Sequence, residues 1–301
     1  MGLNLLGYRV LGLGSRRFSK NGLFHTPYPI PHTLYPIIIL CLFSSCFAQQ
    51  KSITLDGGIE IIAIDDQPRE MDASLFSGKL TEAQKLSYMP GGKAPASVNV
   101  FLVKSGGKTY MIDAGFGNAV KDKRIDPKKI DVILITHEHL DHISGLLQGK
   151  YPIFSAPVYV SKPESDYWLK PETPNSDMQK ALVNAYADQY ETFGFGDTLA
   201  PGIVAINAVG HTPGHTAFLI GTGKQKMLIA GDFLHAAALQ FPEPTESANF
   251  DMDKEQAVKT RKHLMEQAEK NGWIIAGVHV PNPGWGKVKS NGKGGFIFSN
   301  P

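Results

Sequence analysis

Short segments of apolar and β-branched residues recur along the chain from residue 58 onwards, separated by polar or glycine-containing stretches. They comprise residues 58–64, 98–103, 109–112, 130–135, 203–209, 216–220, 226–230 and 274–278. Segments of this length and composition predict buried β-strands. Gly106 and Gly107 lie between the second and the third segment, so we expect these two strands to form a hairpin.

Helical patterns are fewer. Two of them cover residues 141–148 and 174–193. A third helix is expected to begin after a capping residue, Asp251 or Asp253, and to end at Asn271-Gly272. Residues 66–94 are polar and rich in turn-forming residues, which predicts a loop. Strands followed by a helix occur twice, and no linker divides the chain. The pattern therefore predicts one α/β (α+β) domain with two packed sheets, helices outside them, and two similar halves that meet near residue 196.

The first 48 residues differ in character from the rest. They contain no acidic residue and four basic ones, namely Arg9, Arg16, Arg17 and Lys20. A short apolar run from Tyr35 then ends in small residues at Ala48, as in a secretory signal. We therefore expect residues 1–48 to be a leader and residues 49–301 to be a domain exported to the periplasm or secreted. Phe43-Ser-Ser-Cys46 also resembles a lipoprotein processing site, so a lipid anchor on Cys46 is the alternative. The run is too short to span a bilayer.

Charge and cysteine content narrow the range of functions. The chain has 30 basic and 28 acidic residues, and loss of the leader would leave 26 basic ones and a net charge of −2. Nucleic-acid-binding domains carry strongly basic surfaces, so we expect no nucleic acid as a partner. The two cysteines, Cys41 and Cys46, both lie in the leader. Any metal in residues 49–301 must therefore be bound by histidine and carboxylate rather than by thiolate.

One six-residue stretch concentrates metal-binding side chains. His137, His139, Asp141 and His142 follow the predicted strand 130–135 directly. Side chains at 137 and 139 share one face while the backbone stays extended, and Asp141 and His142 lie where the next helix begins. Four ligand-type residues in six positions predict a metal site.

Three further ligand-type residues, His211, Asp232 and His279, each come just after another predicted strand. Because strand ends converge at one edge of a sheet, we expect all seven residues to lie together. Five imidazoles and two carboxylates without sulfur favour Zn²⁺, with Mn²⁺, Fe²⁺ or Co²⁺ as alternatives. Seven ligands exceed what one zinc ion uses, so we expect two divalent metal ions per chain and one bridging carboxylate.

Paired cations predict hydrolytic chemistry. Together they lower the pKa of a bridging water towards neutrality and stabilise the oxyanion that develops on a carbonyl or phosphoryl group. Asp141 and Asp232 are then candidate catalytic residues as well as ligands. The pattern predicts an enzyme that needs no serine or cysteine nucleophile.

The spacing His137-x-His139-x-Asp141-His142, with the later ligands, resembles the metallo-β-lactamase superfamily over about residues 58–298. The resemblance implies a four-layer αββα sandwich with two metals at its edge. It implies first-metal ligands His137, His139 and His211, second-metal ligands Asp141, His142 and His279, and Asp232 as the bridge. Asp113 resembles the acid that orients a ligating histidine. Family spacing favours His211 over His215 as the ligand.

Within the superfamily the sequence is most similar to methyl parathion hydrolase and its lactonase-like relatives. The stretches that carry this similarity are residues 97–103, 210–216, 231–241 and 283–286. It implies hydrolysis of a lactone, a carboxylic ester or a phosphotriester. A mononuclear iron oxidoreductase acting on sulfur compounds, a β-lactam hydrolase and a non-catalytic binding module are the alternatives on the same fold. The chain lacks the cysteine with which the main zinc β-lactamases bind their second metal.

Side chains above the metals would select a small-molecule substrate. Four aromatic residues are candidates for an apolar rim, namely Phe116, Trp168, Phe233 and Trp285. They indicate a hydrophobic ester or lactone. His235 lies three positions after Asp232, where similar lactonases carry a tyrosine that steadies the substrate carbonyl. We expect His235 to donate a hydrogen bond or to shuttle a proton, with a residue on a surface turn as the alternative. The oligomeric state stays open, with a homodimer as one alternative.

Overall fold

The computed structural model describes residues 51–299, and the predicted leader with its two cysteines lies outside this range. The elements of the first half are β1 (Lys51–Leu55), β2 (Ile59–Asp72), β3 (Phe76–Ser77), α1 (Glu82–Tyr88), β4 (Lys93–Ser105), β5 (Lys108–Ile112), α2 (Asn118–Lys121), β6 (Val132–Leu134), α3 (Leu140–Ile143), β7 (Leu147–Gln148), β8 (Tyr151–Pro152), β9 (Val158–Ser161), α4 (Lys162–Trp168), α5 (Asp177–Tyr186) and β10 (Tyr190–Phe193). Those of the second half are β11 (Thr198–Ala200), β12 (Ile203–Asn207), β13 (Thr216–Ile220), β14 (Met227–Ile229), α6 (Ala237–Gln240), β15 (Ser247–Ala248), α7 (Lys254–Asn271), β16 (Ile274–Ala276), β17 (Trp285–Ser290) and β18 (Phe296–Ser299).

Each half of the chain builds one seven-stranded sheet. The first sheet has the order β1-β2-β4-β5-β6-β9-β10, and the second has the order β11-β12-β13-β14-β16-β17-β18. Strands β5, β6, β9 and β10 run parallel in the first sheet, and β14 and β16 run parallel in the second. The first sheet ends at Phe193 and the second begins at Thr198, where the sequence predicts that the two halves meet.

Both faces of each sheet are covered by apolar side chains. Phe101 of β4 and Phe218 of β13 belong to one cluster that fills the space between the sheets. Neighbouring strand residues face outwards, where Leu182 of α5 covers the first sheet and Leu264 of α7 covers the second. Each fully buried side chain of this size contributes about 1.5–3 kcal/mol of hydrophobic stabilisation. The layers run helix, sheet, sheet, helix, which confirms the predicted αββα sandwich.

The predicted hairpin and the last predicted helix are confirmed in detail. Gly106 and Gly107 form the turn between β4 and β5 with φ angles of 58° and 77°, a region that residues with a side chain rarely adopt. The Asp253 carboxylate caps α7 by accepting a hydrogen bond from the backbone N–H of Gln256 at 2.9 Å. Within residues 51–299, no helix combines the length and the apolar character that crossing a bilayer requires.

The predicted loop at residues 66–94 is wrong for much of its length. β2 continues to Asp72 and pairs with β4 as far as Lys93, and α1 follows with a capping box between Thr81 and Gln84. The last third of β2 is mostly exposed, so it lacks the alternation of apolar residues by which a half-buried strand is recognised. Backbone pairing with β4 makes this segment a strand, and it carries Arg69 and Met71 to the cavity described below.

The predicted helix at residues 174–193 is too long. α5 covers only Asp177–Tyr186, and the chain then passes Ala187, whose φ is 31°, before it enters β10. β10 is the edge strand of the first sheet and pairs in parallel with β9. Its four residues show no alternation of apolar and polar positions by which a strand is recognised. Both β9 and α4 also escaped prediction, although α4 lies directly beside the predicted metal ligands.

Candidate metal centre

All seven predicted ligands follow strands, on loops or in short helical turns, and converge at one edge of the two sheets. The segment 137–142 follows β6, and His211, Asp232 and His279 follow β12, β14 and β16. His139 is the residue before the first turn of α3, so the change from strand to helix separates it from Asp141 and His142. The chain therefore places the predicted ligands at two neighbouring positions rather than at one.

The first cluster consists of three histidines and one aspartate, His137, His139, His211 and Asp232, whose ligand atoms lie within 4.8 Å of one another. Nδ1 of His139 lies 3.0 Å from Nε2 of His137 and 2.9 Å from Nε2 of His211. Oδ2 of Asp232 lies 3.7 Å from Nε2 of His137 and 3.5 Å from Nε2 of His211. Three converging imidazole nitrogens and a carboxylate are a donor set that zinc takes in tetrahedral sites.

The second cluster consists of Asp141, His142 and His279, with Asp232 beside it. Nε2 of His279 lies 3.2 Å from Oδ2 of Asp232 and 3.6 Å from Oδ2 of Asp141. Nε2 of His142 and Oδ1 of Asp232 lie 3.2 Å apart, and both are buried without a hydrogen-bond partner among residues 51–299. Unsatisfied buried polar atoms are costly, and a cation between these two would satisfy both. Asp232 therefore lies between the two clusters, with Oδ2 near histidines of both and Oδ1 near His142 of the second.

Four of the five imidazoles make a contact through Nδ1 that fixes the orientation of the ring. The contacts are to Thr136 Oγ1 for His137 (3.1 Å), Asp113 Oδ2 for His142 (2.8 Å), Asp251 Oδ1 for His211 (2.8 Å) and the Ser97 carbonyl for His279 (2.9 Å). Such contacts set the tautomer of a ligating histidine and raise its basicity. Asp113 is fully buried and lies where its resemblance to the family's orienting acid implies.

Asp251 is a residue whose place in the site the sequence analysis missed. It was a candidate helix cap together with Asp253, and the structure gives the cap to Asp253 alone. The second carboxylate oxygen of Asp251 accepts hydrogen bonds from Ser247 Oγ (2.6 Å) and Ala248 N (2.9 Å) and lies 3.5 Å from Nη2 of the fully buried Arg261. Burial would raise the pKa of Asp251, but the hydrogen bond to His211 and the charge of Arg261 hold it well below its ordinary value. Its carboxylate therefore links Arg261 to His211, which lies 40 residues before Asp251 in the sequence, and no local pattern could reveal this link.

The two clusters differ in their electrostatics. Burial lowers the pKa of His137 well below its ordinary value and lowers that of His139 and His211 to about 4, so these rings are neutral at pH 7. Burial would also lower the pKa of His142, but the carboxylates of Asp232 and Asp113 raise it. Asp232 has the opposite balance, since burial would raise its pKa and the surrounding histidines hold it well below the ordinary range. Cation binding at the second cluster would therefore displace protons.

The sequence profile of the Metallo-beta-lactamase superfamily matches residues 94–279, which include all seven clustered residues and Asp113. The chain belongs to the metallo-β-lactamase superfamily. This match confirms the family and, together with the two-sheet topology, the fold class that the sequence analysis predicts.

Members of the superfamily with different activities resemble the chain to a similar degree. It is 26% identical over 173 residues to a ribonuclease of Thermus thermophilus, a match that covers 52% of this chain and 39% of the ribonuclease. It is 25% identical over 189 residues to the N-acyl homoserine lactonase AttM of Agrobacterium fabrum, covering 59% of this chain and 68% of the lactonase. The crystal structure of the hydrolase AbOPH, also in the β-lactamase superfamily, superimposes with a TM-score of 0.74 at 28% identity, covering 84% of this chain and 97% of that protein. The chain spans well under half of the ribonuclease, so the geometry of the site carries the functional argument.

His215 lies beside the two clusters, but both of its ring nitrogens make other contacts. Its Nδ1 donates to the carbonyl of Ala208 (2.9 Å), and its Nε2 accepts from the backbone N–H of Asp232 (2.8 Å). Gly231 has a φ of 56°, and a Cβ at this position would lie 2.5 Å from Nε2 of His215. Glycine is therefore what allows the ring to approach the Asp232 backbone. Burial lowers the pKa of His215 to about 3, which keeps it neutral.

His235 is fully buried, so the alternative of a residue on a surface turn is wrong. Its Nε2 lies 3.1 Å from Oδ2 of Asp232, and its ring stacks on that of His279 with centroids 5.5 Å apart and an interplanar angle of 18°. Its Nδ1 is buried and has no hydrogen-bond partner in the described part of the chain. Metal-bound imidazoles almost always have a partner for the second nitrogen. This difference favours a hydrogen-bonding role for His235 over a role as an eighth ligand.

A cavity of about 360 Å³ opens onto both clusters. Its polar wall consists of clustered side chains and His235, and its apolar wall consists of Met71, Leu75, Leu140 and Phe250. Arg69 also lines the cavity, where Nη1 donates to Oδ2 of Asp141 at 2.9 Å and the guanidinium lies 5.8 Å from the ring of Phe116. A volume of this size suits a small molecule.

The predicted aromatic rim does not form the apolar wall. Phe233 and Trp285 are only 1% and 6% exposed and pack in the hydrophobic core. Trp168 packs edge-on against His139 with centroids 5.7 Å apart, and its indole N–H donates to Glu164 at 2.7 Å. The sequence predicts that a side chain lies near a strand end, but not on which side of the loop. A side chain on one side packs in the core, and one on the other side lines the cavity.

Proposed function

We propose that this protein is a dinuclear metal-dependent hydrolase that cleaves a lactone, a carboxylic ester or a phosphotriester. The observation that carries the proposal is the pair of ligand clusters that share Asp232 at the base of a partly apolar cavity. His137, His139 and His211 would hold the first ion, Asp141, His142 and His279 would hold the second, and Asp232 would bridge them. The nitrogen and oxygen donor set without sulfur supports zinc.

The first cluster and Asp232 are in the protonation states that such a site requires, and the second cluster reaches them when cation binding displaces its protons. Two divalent ions supply Lewis acidity and a metal-activated water at neutral pH when they are bound. The neutral His139 and His211 keep lone pairs for a cation, and Asp232 stays anionic because its pKa is depressed. Two carboxylate ligands leave part of the charge of two divalent cations uncompensated, which favours an anionic nucleophile and an anionic transition state.

We assign His235 a role in handling the substrate oxygen or the departing group. Its imidazole borders the cavity next to Asp232, and its ring is held by stacking on His279. A positioned imidazole typically contributes 10²–10⁴-fold to a reaction as a general acid or base. His235→Ala should therefore lower kcat while both ions stay bound. Unchanged activity on every substrate tested would remove His235 from the mechanism.

The cavity supports a small substrate with an apolar part. Met71, Leu75, Leu140 and Phe250 offer an apolar surface for an acyl chain or an aryl group. The similarity to the lactonase AttM supports a lactone as one member of the substrate class. Arg69 uses one of its N–H groups on Asp141 and has others at the cavity wall, where they can bind an acceptor atom of the substrate.

A panel assay with zinc-loaded and manganese-loaded protein tests the proposal. The panel contains an acyl-homoserine lactone, a p-nitrophenyl ester, methyl parathion, a cephalosporin and a single-stranded RNA. Hydrolysis of any of the first three, lost in Asp232→Ala, supports the proposal. Cleavage of the cephalosporin or of RNA alone would replace it with a β-lactamase or a nuclease. One iron and no zinc in protein purified from its native source would favour the iron oxidoreductase instead.

We also propose that residues 1–48 are removed on export. The basic, acid-free flank and the apolar run that ends at Ala48 support this proposal. N-terminal sequencing of the protein from the producing cell tests it. A mature N-terminus at Gln49 would support cleavage after Ala48, a lipid-modified Cys46 would support the anchored form, and an intact N-terminus in the cytoplasm would exclude both.

A further inference from the structure

Glu164 is a fully buried carboxylate that is not part of the metal clusters. It lies in the first turn of α4 and accepts four hydrogen bonds. Oε1 accepts from the backbone N–H of Glu138 at 3.0 Å and from Nε1 of Trp168 at 2.7 Å. Oε2 accepts from Oγ1 of Thr212 at 2.6 Å and from the backbone N–H of Gly214 at 2.9 Å. Two donors on each oxygen are what an ionised carboxylate can accept, and a protonated acid would leave a donor facing another donor.

The groups that Glu164 holds are the immediate neighbours of the first cluster. Glu138 lies between His137 and His139 in the chain, so its backbone N–H belongs to the segment that carries both rings. Thr212 follows His211 directly. Among the five imidazoles, His139 lacks an orienting Nδ1 contact outside the clusters, because its Nδ1 faces the other two rings.

Trp168 takes the place of such a contact for His139. The indole ring packs edge-on against the imidazole with an interplanar angle of 73°, and its own orientation depends on the hydrogen bond to Glu164. One carboxylate is therefore connected by single contacts to the positions of all three histidines in the first cluster.

The loop that carries His211 packs directly against the helix that carries Glu164. A Cβ on Gly214 would lie 2.0 Å from the backbone nitrogen of Glu164, so the loop backbone lies directly on the first turn of α4. Ser161 Oγ, at the cap of the same helix, donates to the carbonyl of Gly214 at 2.6 Å. The carboxylate thus acts between two surfaces that are already in contact.

We propose that Glu164 is the positioning residue of the first metal site, and that it sets the affinity of this site by clamping the segments of His137, His139 and His211 together. The proposal rests on the proposed dinuclear function, since it concerns the affinity of one of the two ions. Partners of metal ligands typically change metal affinity or activity by 10–100-fold when they are removed. Glu164 acts on three ligands at once, so we expect the effect of its loss to lie towards the upper end of this range.

The test is a stepwise titration of metal-free Glu164→Gln with Co²⁺ and Zn²⁺ in competition with a chromophoric chelator. Glutamine keeps the shape of the side chain but offers one acceptor oxygen, so at least two of the four donors lose their partner. We expect the affinity of the first site to fall by about 10–100-fold and that of the second to stay within a factor of about two. The same titration in a His279→Ala background, which removes a ligand of the second cluster, identifies the step that belongs to the first.

Glu246→Gln is the matched control. Glu246 is also a fully buried carboxylate, and it accepts a hydrogen bond from the backbone N–H of Leu80 at 2.9 Å without contacting a clustered ligand. We expect this change to lower the melting temperature and to leave both metal affinities unchanged.

Thr212→Val decides the question if Glu164→Gln does not fold. It removes one of the four donors and keeps the shape of the residue, so the first site should weaken by about 3–10-fold, as the loss of one hydrogen bond implies. Folded variants whose two affinities equal those of the wild type would overturn the proposal and leave Glu164 with a structural role alone. Failure of the wild-type protein to bind two ions would instead refute the proposed function.

Discussion

The pH dependence of the unfolding free energy should reveal the titration of one buried acid, Glu138, next to the site. Glu138 lies between two clustered histidines, yet its carboxyl group is directed away from them. Oε1 lies 3.3 Å from the hydroxyl of Tyr190, and Oε2 is buried without a hydrogen-bond partner among residues 51–299. Burial first, and the nearby Glu164 carboxylate second, raise the pKa of Glu138 from 4.5 to about 8. Replacing it with glutamine keeps the shape and removes the titration.

The magnitude follows from the difference between the folded and the unfolded pKa. A carboxyl group with a raised native pKa binds more protons when the protein is folded, so its contribution to stability is complete below pH 4.5 and is lost as the pH rises towards 8. One pKa unit corresponds to about 1.4 kcal/mol. Between pH 5 and pH 8 the wild type should therefore lose on the order of 3 kcal/mol that Glu138→Gln does not lose.

The assay is urea unfolding of the metal-free protein, followed by circular dichroism at pH 5, 6, 7 and 8. The difference in unfolding free energy between the two proteins is the decisive quantity, because the histidines titrate in both and cancel. Glu191→Gln, a change at an exposed position on the adjacent edge strand, serves as the control and should give a constant difference. Parallel profiles of the wild type and Glu138→Gln would refute the argument.

Three further predictions concern the ligands and their partners. Asp251→Asn leaves the buried Arg261 without its counter-charge and weakens the contact to His211. It should lower the unfolding free energy by about 1–3 kcal/mol in urea and zinc affinity by about 10–100-fold, and a stability loss with unchanged affinity would contradict the assigned contact. Asp232→Ala should reduce bound metal from two ions to one or fewer by elemental analysis, and two retained ions would exclude a bridging role. Chelation should lower the melting temperature, because an ion at 100 times its Kd stabilises the fold by about 2.7 kcal/mol. Zinc but not magnesium should restore it, and equal restoration by magnesium would argue against a nitrogen-rich site.

The features that could be predicted from the sequence are those with a local pattern. The 137–142 motif and the three later ligands follow apolar segments, and strand ends meet at one edge because of how sheets are built. The β4–β5 hairpin and α7 carry their own turn and capping residues. Glu138 also shows the limit of such patterns, since this polar residue inside the motif is turned away from the clustered histidines and nothing in its neighbours indicates the direction.

The features that escaped prediction depend on contacts between distant segments. The last third of β2 becomes a strand because β4 is available to pair with it, and only then does Arg69 reach Asp141, 72 residues further along the chain. Asp251 and Glu164 are each one acidic residue among 28, and neither has a sequence neighbour that marks it. Each contacts a histidine, or the segment of one, that is distant from it in the sequence.

This contrast bears on how the site is held together. The seven predicted ligands follow strand ends, and some of the groups that contact them or their neighbours lie on more distant connections between strands, such as Asp251 before α7 and Glu164 in α4. The identities of the ligands alone therefore define which donor atoms a metal can use. The relative affinity of the two positions depends on these connecting segments. Two proteins with the same seven ligands can differ in metal preference if their connections differ. The first site, where we propose that one carboxylate positions the segments of three histidines, should be the more sensitive of the two to changes outside the ligand set.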